Sequence, residues 1–338
     1  MRTLVLSALA LLLTFTFVTT SSWTGDYHTQ NGQKQFTTTV TGSISVLGFI
    51  AAVLATIIPI LELLGFKNRR NMDALLVLPV SRTKMALAHY LNGMLEILFI
   101  NAICFLMGTF KLLPTADIFP IWAMLPFYAL LILSAALLYS VFFFIFMQAN
   151  TIADGVIFMT LHSVIGMLVV AMIEENANVR ISDMQWSYFS PYSPVTFTTS
   201  LFERFITPQV RYVTDEGPSA LISKPVTKLG WDSLNTFYMV LWCVIGLAAF
   251  IGFLYFFKKQ RPERIGGISN SPFGYMTLIP TFALSFILAG LSGVTWGVII
   301  LITSVVGYII YRRSVRLKLP DLICLGVIAL IMIFGISF

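Results

Sequence analysis

A succession of long apolar stretches constrains this chain more than any other feature. They fall at about residues 3–20, 44–65, 86–110, 119–148, 154–173, 235–257, 274–291, 293–311 and 320–337. Several exceed the length at which a helix crosses the hydrocarbon core of a bilayer, and a soluble core has no use for so much apolar surface. Composition agrees: hydrophobic residues make up 57% of the chain and charged residues 11%, with a mean hydropathy of +0.87. An all-α polytopic membrane protein is expected. The 119–148 stretch is long enough to tilt or to project from the bilayer, and Gly290 to Gly293 reads as a tight hairpin between two spans.

The first stretch, within "MRTLVLSALALLLTFTFVTTSSWTG", has the basic, apolar, small-polar order of a secretory signal. Its apolar part nearly crosses a bilayer, however, and a retained first span is the preferred reading. Cys104, Cys243 and Cys324 all lie in apolar runs with no CxxC or Cys/His spacing. They read as reduced packing residues, with neither a disulfide frame nor a metal site.

Charge sets an expected orientation. With the N-terminus in the cytoplasm, 14 of the 21 basic residues fall in short inner loops. These are Arg2, then Lys67, Arg69, Arg70, Arg82 and Lys84, then Lys258, Lys259, Arg261 and Arg264, then Arg312, Arg313, Arg316 and Lys318. The longer outer loops carry nine of the fifteen acids. This is the positive-inside pattern, so the basic balance reports topology and nucleic-acid binding is not implied. Residues 21–43 read as an ordinary polar outer loop. Residues 174–234 read as an extracellular loop rich in aromatics, with a helix starting at Ser193-Pro194. Val195, Leu201, Phe202, Phe205 and Ile206 fall mostly on one face of that helix. It fits an interfacial aromatic belt as well as it fits a substrate contact.

Several chemistries are excluded by what is missing. No GxxxxGK[ST] phosphate loop, HExxH, GxSxG or Asp-rich calcium loop occurs. "EENANVR", residues 174–180, approaches the paired-glutamate and arginine motif of CAAX-type intramembrane proteases, with His162 one span away. It has one residue too many before Arg180, which rotates that side chain by about 100° on a helix. Glu62, Glu96, Asp154 and Asp321 read as interfacial groups near predicted cytoplasmic ends, paired with nearby Arg or Lys, and not as a proton relay. Neither the internal repeat of a secondary transporter nor a channel-filter motif is evident.

The segment "KNRRNMDALLVLPVSRTK", residues 67–84, lies between two apolar runs. Asn71 is placed to cap a short helix carrying Asp73 in its first turn and Leu75, Leu76 and Leu78 as its apolar residues. Pro79 ends that helix, because the residue before a proline avoids the α region. Ser81 is placed to cap a second helix running through Arg82 and Lys84 into the next span. Two helices separated by a proline can pass a push into the following span; a surface loop that merely anchors topology is the plainer reading.

"NMDALLVLPVSRTKMALAHYLNG" resembles the segment between spans two and three of exporter-type permease subunits of bacterial ATP-binding-cassette (ABC) transporters. "FFKKQRPERIGG", residues 256–267, is similar to a segment after the sixth span in permeases of acetoin-utilisation and cell-envelope-stress operons. "FSPYSP", residues 189–194, sits where that subgroup often carries a turn. The resemblance covers about residues 40–270 and departs from the family in two respects: the chain starts almost directly in a span, and it carries three apolar segments beyond a six-span core.

The resemblance implies a six-span permease core over 1–257, with a cytoplasmic coupling segment at 66–85. A cytoplasmic loop at 258–273 and further transmembrane segments over 274–338 follow. It implies that Asp73, Leu75, Leu76, Leu78, Pro79, Ser81 and Arg82 contact a separate ATPase subunit, and that Arg261, Glu263, Arg264 and Gly266 form a second cytoplasmic contact. ATP and magnesium would be bound by that partner, with no cofactor in this chain. The expected partners are cytoplasmic ABC ATPase subunits, a second permease subunit and membrane lipids, in a bacterial cell membrane. The implied function is ATP-driven export of an amphiphilic or hydrophobic substrate; a sensory module for envelope stress is the alternative.

Overall fold

The computed structural model describes residues 2–18, 23–30, 33–40, 45–68, 70–71, 77, 79–112, 124–176, 209–213, 233–260, 263, 265–288 and 294–335. Among the described residues the chain forms nine α-helices: α1 (Arg2–Phe17), α2 (Ser45–Leu63), α3 (Arg82–Leu112), α4 (Met124–Gln148), α5 (Ile152–Asn176), α6 (Ser233–Lys259), α7 (Tyr275–Leu288), α8 (Val294–Arg312) and α9 (Leu319–Gly335). Each coincides with one of the apolar stretches. Four apolar segments, Val46–Lys67, Arg82–Lys111, Tyr128–Gln148 and Met239–Lys259, have the length and hydropathy of membrane spans. The protein is a multi-pass, membrane-embedded, helical protein.

The all-α expectation is corrected by a small antiparallel sheet. Strands β1 (Trp23–Gln30), β2 (Gln33–Val40) and β3 (Gln209–Val213) pair in the order β1-β2-β3. Gln30 pairs with Gln33 and Trp23 with Val40, so residues 21–43 carry a hairpin where a plain loop was expected. Asn31-Gly32, the two residues joining the strands, are a strong short-range hairpin signal, and the Thr37–Thr39 run is β-branched. Residues 209–213, within the aromatic-rich stretch 174–234, add the third strand through Gln35–Val213 and Thr39–Gln209 pairing. The helix expected at Ser193-Pro194 and the Gly290–Gly293 hairpin lie outside the described residues.

The chain's contacts separate into two compact units, residues 1–55, 94–138 and 197–244 in one and 56–93, 139–196 and 245–338 in the other. The first unit holds the sheet, α1 and the second half of α3. The Arg2 side chain donates to both carboxylate oxygens of Glu96, with Nε at 3.3 Å from Oε1. At the other end of α1, Lys111 Nζ donates to the Val18 carbonyl at 3.0 Å and to that of Phe15. These contacts make α1 run parallel to residues 96–111.

One expectation changes as a result. Glu96 lies 14 residues into α3, about 21 Å along its axis, not a turn or two from its beginning. Arg2 starts α1 beside Glu96. The pairing itself follows from burial: Glu96 is 6% exposed, and a buried carboxylate needs a partner.

The second unit has an aromatic core. Tyr90 packs against Tyr139 and Phe143 with ring centroids 5.1 and 5.6 Å apart, and Phe143 meets Phe253 edge-on at 4.7 Å. Tyr139 OH donates to the Tyr90 carbonyl at 3.1 Å, and Tyr90 OH shares a 2.6 Å hydrogen bond with Ser140 Oγ. This polar pairing allows both phenols to be buried. Gly93 leaves the space the arrangement needs, since a β-carbon there would overlap the Tyr139 hydroxyl and come within 3.0 Å of Ile58. Helix α7 packs on α5, α8 and α9, with Ala283, Ile300 and Ile328 forming the apolar contact.

Candidate functional site

The 67–84 segment is held at both of its ends. Lys67 closes the 3-10 turn Leu64–Lys67 and is 7% exposed. Its ammonium donates to the Met147 carbonyl at 3.1 Å and to the Ala149 carbonyl, and lies over the Phe146 ring at 5.4 Å. Those carbonyls belong to the end of α4, where backbone acceptors have no helical partner and the dipole favours a cation. At the other end of the segment, exposed Arg82 donates through Nη1 to the Gln260 carbonyl at 3.0 Å and the Lys258 carbonyl at 3.4 Å. These are the terminal carbonyls of α6. Two cations thus seat one short segment on the C-termini of two different helices.

Between those anchors, Asn68 Oδ1 accepts from the Arg70 amide at 3.1 Å, and residues 70–71 are helical. Asn68 therefore takes the capping place expected of Asn71, which is already inside the turn. Ser81 does cap α3: its Oγ accepts from the Lys84 amide at 3.4 Å and its carbonyl from the Met85 amide at 3.1 Å. Pro79 and Val80 form a bend before it. Val77 is 82% exposed. Asp73, Leu75, Leu76 and Leu78 lie outside the described residues.

Arg82 also joins the first expected contact segment to the second, because Lys258 and Gln260 open the 258–273 loop. Glu263 is exposed and Gly266 adopts φ 79°, a left-handed conformation glycine accepts without steric cost. Arg261 and Arg264 lie outside the described residues. The Gly266 amide donates to the Asn150 carbonyl at 3.0 Å. Asn150 in turn donates its amide to Ser269 Oγ at 2.8 Å and its side-chain Nδ2 to the Ile268 carbonyl at 2.7 Å. Arg313, itself left-handed at φ 51° where α8 ends, donates to the Gly266 and Gly267 carbonyls at 2.6 and 3.3 Å.

Asp154 is the hub of this loop. Thr151 Oγ1 accepts from the Asp154 amide at 3.1 Å, capping α5. The Asp154 carboxylate accepts from Ser269 Oγ at 2.5 Å and Tyr275 OH at 2.9 Å, with Arg313 at 3.7 Å. Glu62 and Asp321 are also paired. Glu62 accepts from Asn92 Nδ2 at 2.8 Å and meets His89 Nδ1 at 3.0 Å. Asp321 takes a bidentate pair of 2.8 Å bonds from Arg312. Such pairing is what buried carboxylates require, and it assigns them to helix seating. His162 Nδ1 sits 2.8 Å from the Phe158 carbonyl within α5. Among the described residues no three His, Cys, Asp or Glu side chains converge as metal ligands would.

The cap at Ser81 was legible in the sequence, whereas the joining of Lys67, Asn150, Asp154 and Arg313 was not. Lys67 simply ends an apolar run in the sequence, and nothing local to it names the end of α4 as its partner. Thr151 followed by Asp154 was the legible signal, as a cap at the start of α5. No family model, curated protein or solved structure matches this chain.

Proposed function

We propose that this protein is the membrane subunit of an ABC exporter, driven by a separate cytoplasmic ATPase through residues 67–84. The observation that carries the reading is the double seating of that segment, by Lys67 on the end of α4 and by Arg82 on the end of α6. It is supported by the permease-like sequence of 71–93 and by the exposure of Val77 and Val80. In this reading the ATPase docks on the exposed apolar side chains of the segment. ATP-driven closure displaces the segment, and the two cations carry the displacement into α4 and α6. Export of an amphiphilic or hydrophobic substrate through a dimer of such subunits follows as the function. The protein, purified from its native membranes, should retain a nucleotide-binding subunit that hydrolyses ATP, and Val77→Asp should abolish that retention without lowering membrane insertion. Recovery of the protein with no ATP-hydrolysing partner would sink the proposal.

A further inference from the structure

A cavity of about 550 Å³ opens where α4 and α6 end and α7 is about to begin. Lys259 and Asn270 line it, with Phe256, Ile268 and Pro272 as apolar wall. Among the described lining residues there is one cation and no carboxylate. Lys259 is exposed and is the last residue of the apolar span Met239–Lys259, so it stands at the depth where lipid headgroups begin. Its ammonium donates to Tyr255 OH and lies over that ring, 4.0 Å from the centroid. An ammonium has three donors, so two remain for a ligand. Asn270 Oδ1 accepts from Tyr311 OH, which orients the carboxamide and leaves Nδ2 as a further donor at the cavity.

The surroundings select both the charge and the source of that ligand. Arg82, seated on the α6 carbonyls, and Lys258 are exposed beside Lys259, and Glu263 is the exposed acid of the same loop. With no carboxylate in the lining, a zwitterionic headgroup finds no partner for its ammonium, whereas an anion meets a net positive site. Ile251, Tyr255 and Lys259 follow at four-residue steps, which stacks them along one side of α6. Ile251 and Tyr255 are 65% and 53% exposed, and Phe273 and Met276, at the start of α7, are 42% and 66% exposed. Phe273 meets Phe256 of the cavity wall with ring centroids 6.4 Å apart. Apolar surface thus leads from the cavity along the span, as acyl chains lead from a headgroup.

We infer that this cavity holds the phosphate of an anionic phospholipid, with Lys259 Nζ and Asn270 Nδ2 donating to its oxygens and the acyl chains lying on Ile251, Tyr255 and Met276. Such a site does not depend on an ATPase partner. The test uses the full chain in a neutral, phosphate-free detergent, titrated with phosphatidylglycerol, phosphatidylcholine or soluble glycerol 3-phosphate. Native mass spectrometry reports the bound molecules and their affinity, and the unfolding midpoint without lipid checks the fold of each variant.

Phosphatidylglycerol should bind saturably and more tightly than phosphatidylcholine. Lys259→Gln should weaken it by about fivefold, the effect of one cation at a membrane surface. Asn270→Asp keeps the oxygen that accepts from Tyr311 but replaces a donor by negative charge, and should weaken binding at least as far. Arg316→Gln removes an exposed cation that does not line the cavity and should leave binding unchanged. Equal affinity for phosphatidylcholine, or wild-type affinity in Lys259→Gln, would overturn the inference. So would an equal loss in Arg316→Gln, which would show diffuse charge attraction only. Glycerol 3-phosphate binding as tightly as the lipid would overturn it as well, by showing a site for a soluble phosphate ester.

Discussion

Replacing Asp154 by Asn keeps the side-chain shape and removes the charge on which the 266–275 loop converges. Its carboxylate, on a residue 7% exposed, accepts from Ser269 Oγ and Tyr275 OH. Hydrogen bonds to a charged acceptor contribute about 1.5–3 kcal/mol each, against about 0.5–1.5 kcal/mol for neutral ones. Asn retains a single side-chain oxygen, so one hydroxyl must accept from the new NH₂ while the other bond becomes neutral. The carboxylate also sits in the first turn of α5, where the helix dipole adds roughly 0.3–1 kcal/mol. Arg313 contributes little to the change, since its side chain is 45% exposed and the pair is 3.7 Å long. Relief of carboxylate desolvation offsets part of the loss, leaving a net destabilisation of about 2 kcal/mol. Reversible denaturant unfolding of the purified protein in detergent measures it. The Asp154→Asn, Ser269→Ala double-mutant cycle should give a coupling of about 1 kcal/mol. A wild-type midpoint for Asp154→Asn, together with a coupling indistinguishable from zero, would refute the hub.

The next two predictions concern glycines with opposite reasons to be glycine. Gly93→Ala inserts a methyl group where the Tyr139 hydroxyl meets the Tyr90 carbonyl, and should destabilise by about 1–3 kcal/mol, with Tyr139→Phe in the same background recovering part of it. Full stability of Gly93→Ala would show that the aromatic core is looser than described. Gly266→Ala has open space around it but a positive φ, so it should cost about 1–2 kcal/mol through backbone strain alone. Gly266→Asn should cost less, because Asn visits that conformation more readily; equal losses for Ala and Asn would contradict the strain argument.

The helices were legible because membrane solvation leaves so few choices. A backbone in hydrocarbon must satisfy its own hydrogen bonds, so a long apolar run means a helix, and nine runs became nine helices among the described residues. Ser81 was legible for a local reason, since a cap is decided within four residues of chain. The hairpin carried a local signal too, in Asn31-Gly32, but a polar stretch between two membrane helices reads as a loop when its turn chemistry is passed over. Pairing of 209–213 with 35–39 had no local signal, because a third strand is chosen by partners far away in sequence.

The same distinction divides the candidate site. That Glu62, Glu96, Asp154 and Asp321 must be paired follows from their apolar surroundings; which partner each takes is tertiary information. Arg2 finding Glu96 across 94 residues of sequence is the clearest case. Lys67 was counted as a topology anchor and Arg82 also as an ATPase contact; their seating on the ends of α4 and α6 depends on where those helices stop.

In the proposed function the 67–84 segment transmits a partner's motion through those seats. Arg82→Glu sets a carboxylate against the Lys258 and Gln260 carbonyls and should unseat the segment from α6, leaving the exposed apolar side chains available to the ATPase. ATP turnover by the purified, reconstituted complex tests this most directly. The Arg82→Glu subunit should still copurify with its ATPase while the complex loses the turnover the wild-type membrane subunit supports, by about tenfold or more. Wild-type turnover with Arg82→Glu in place would contradict it.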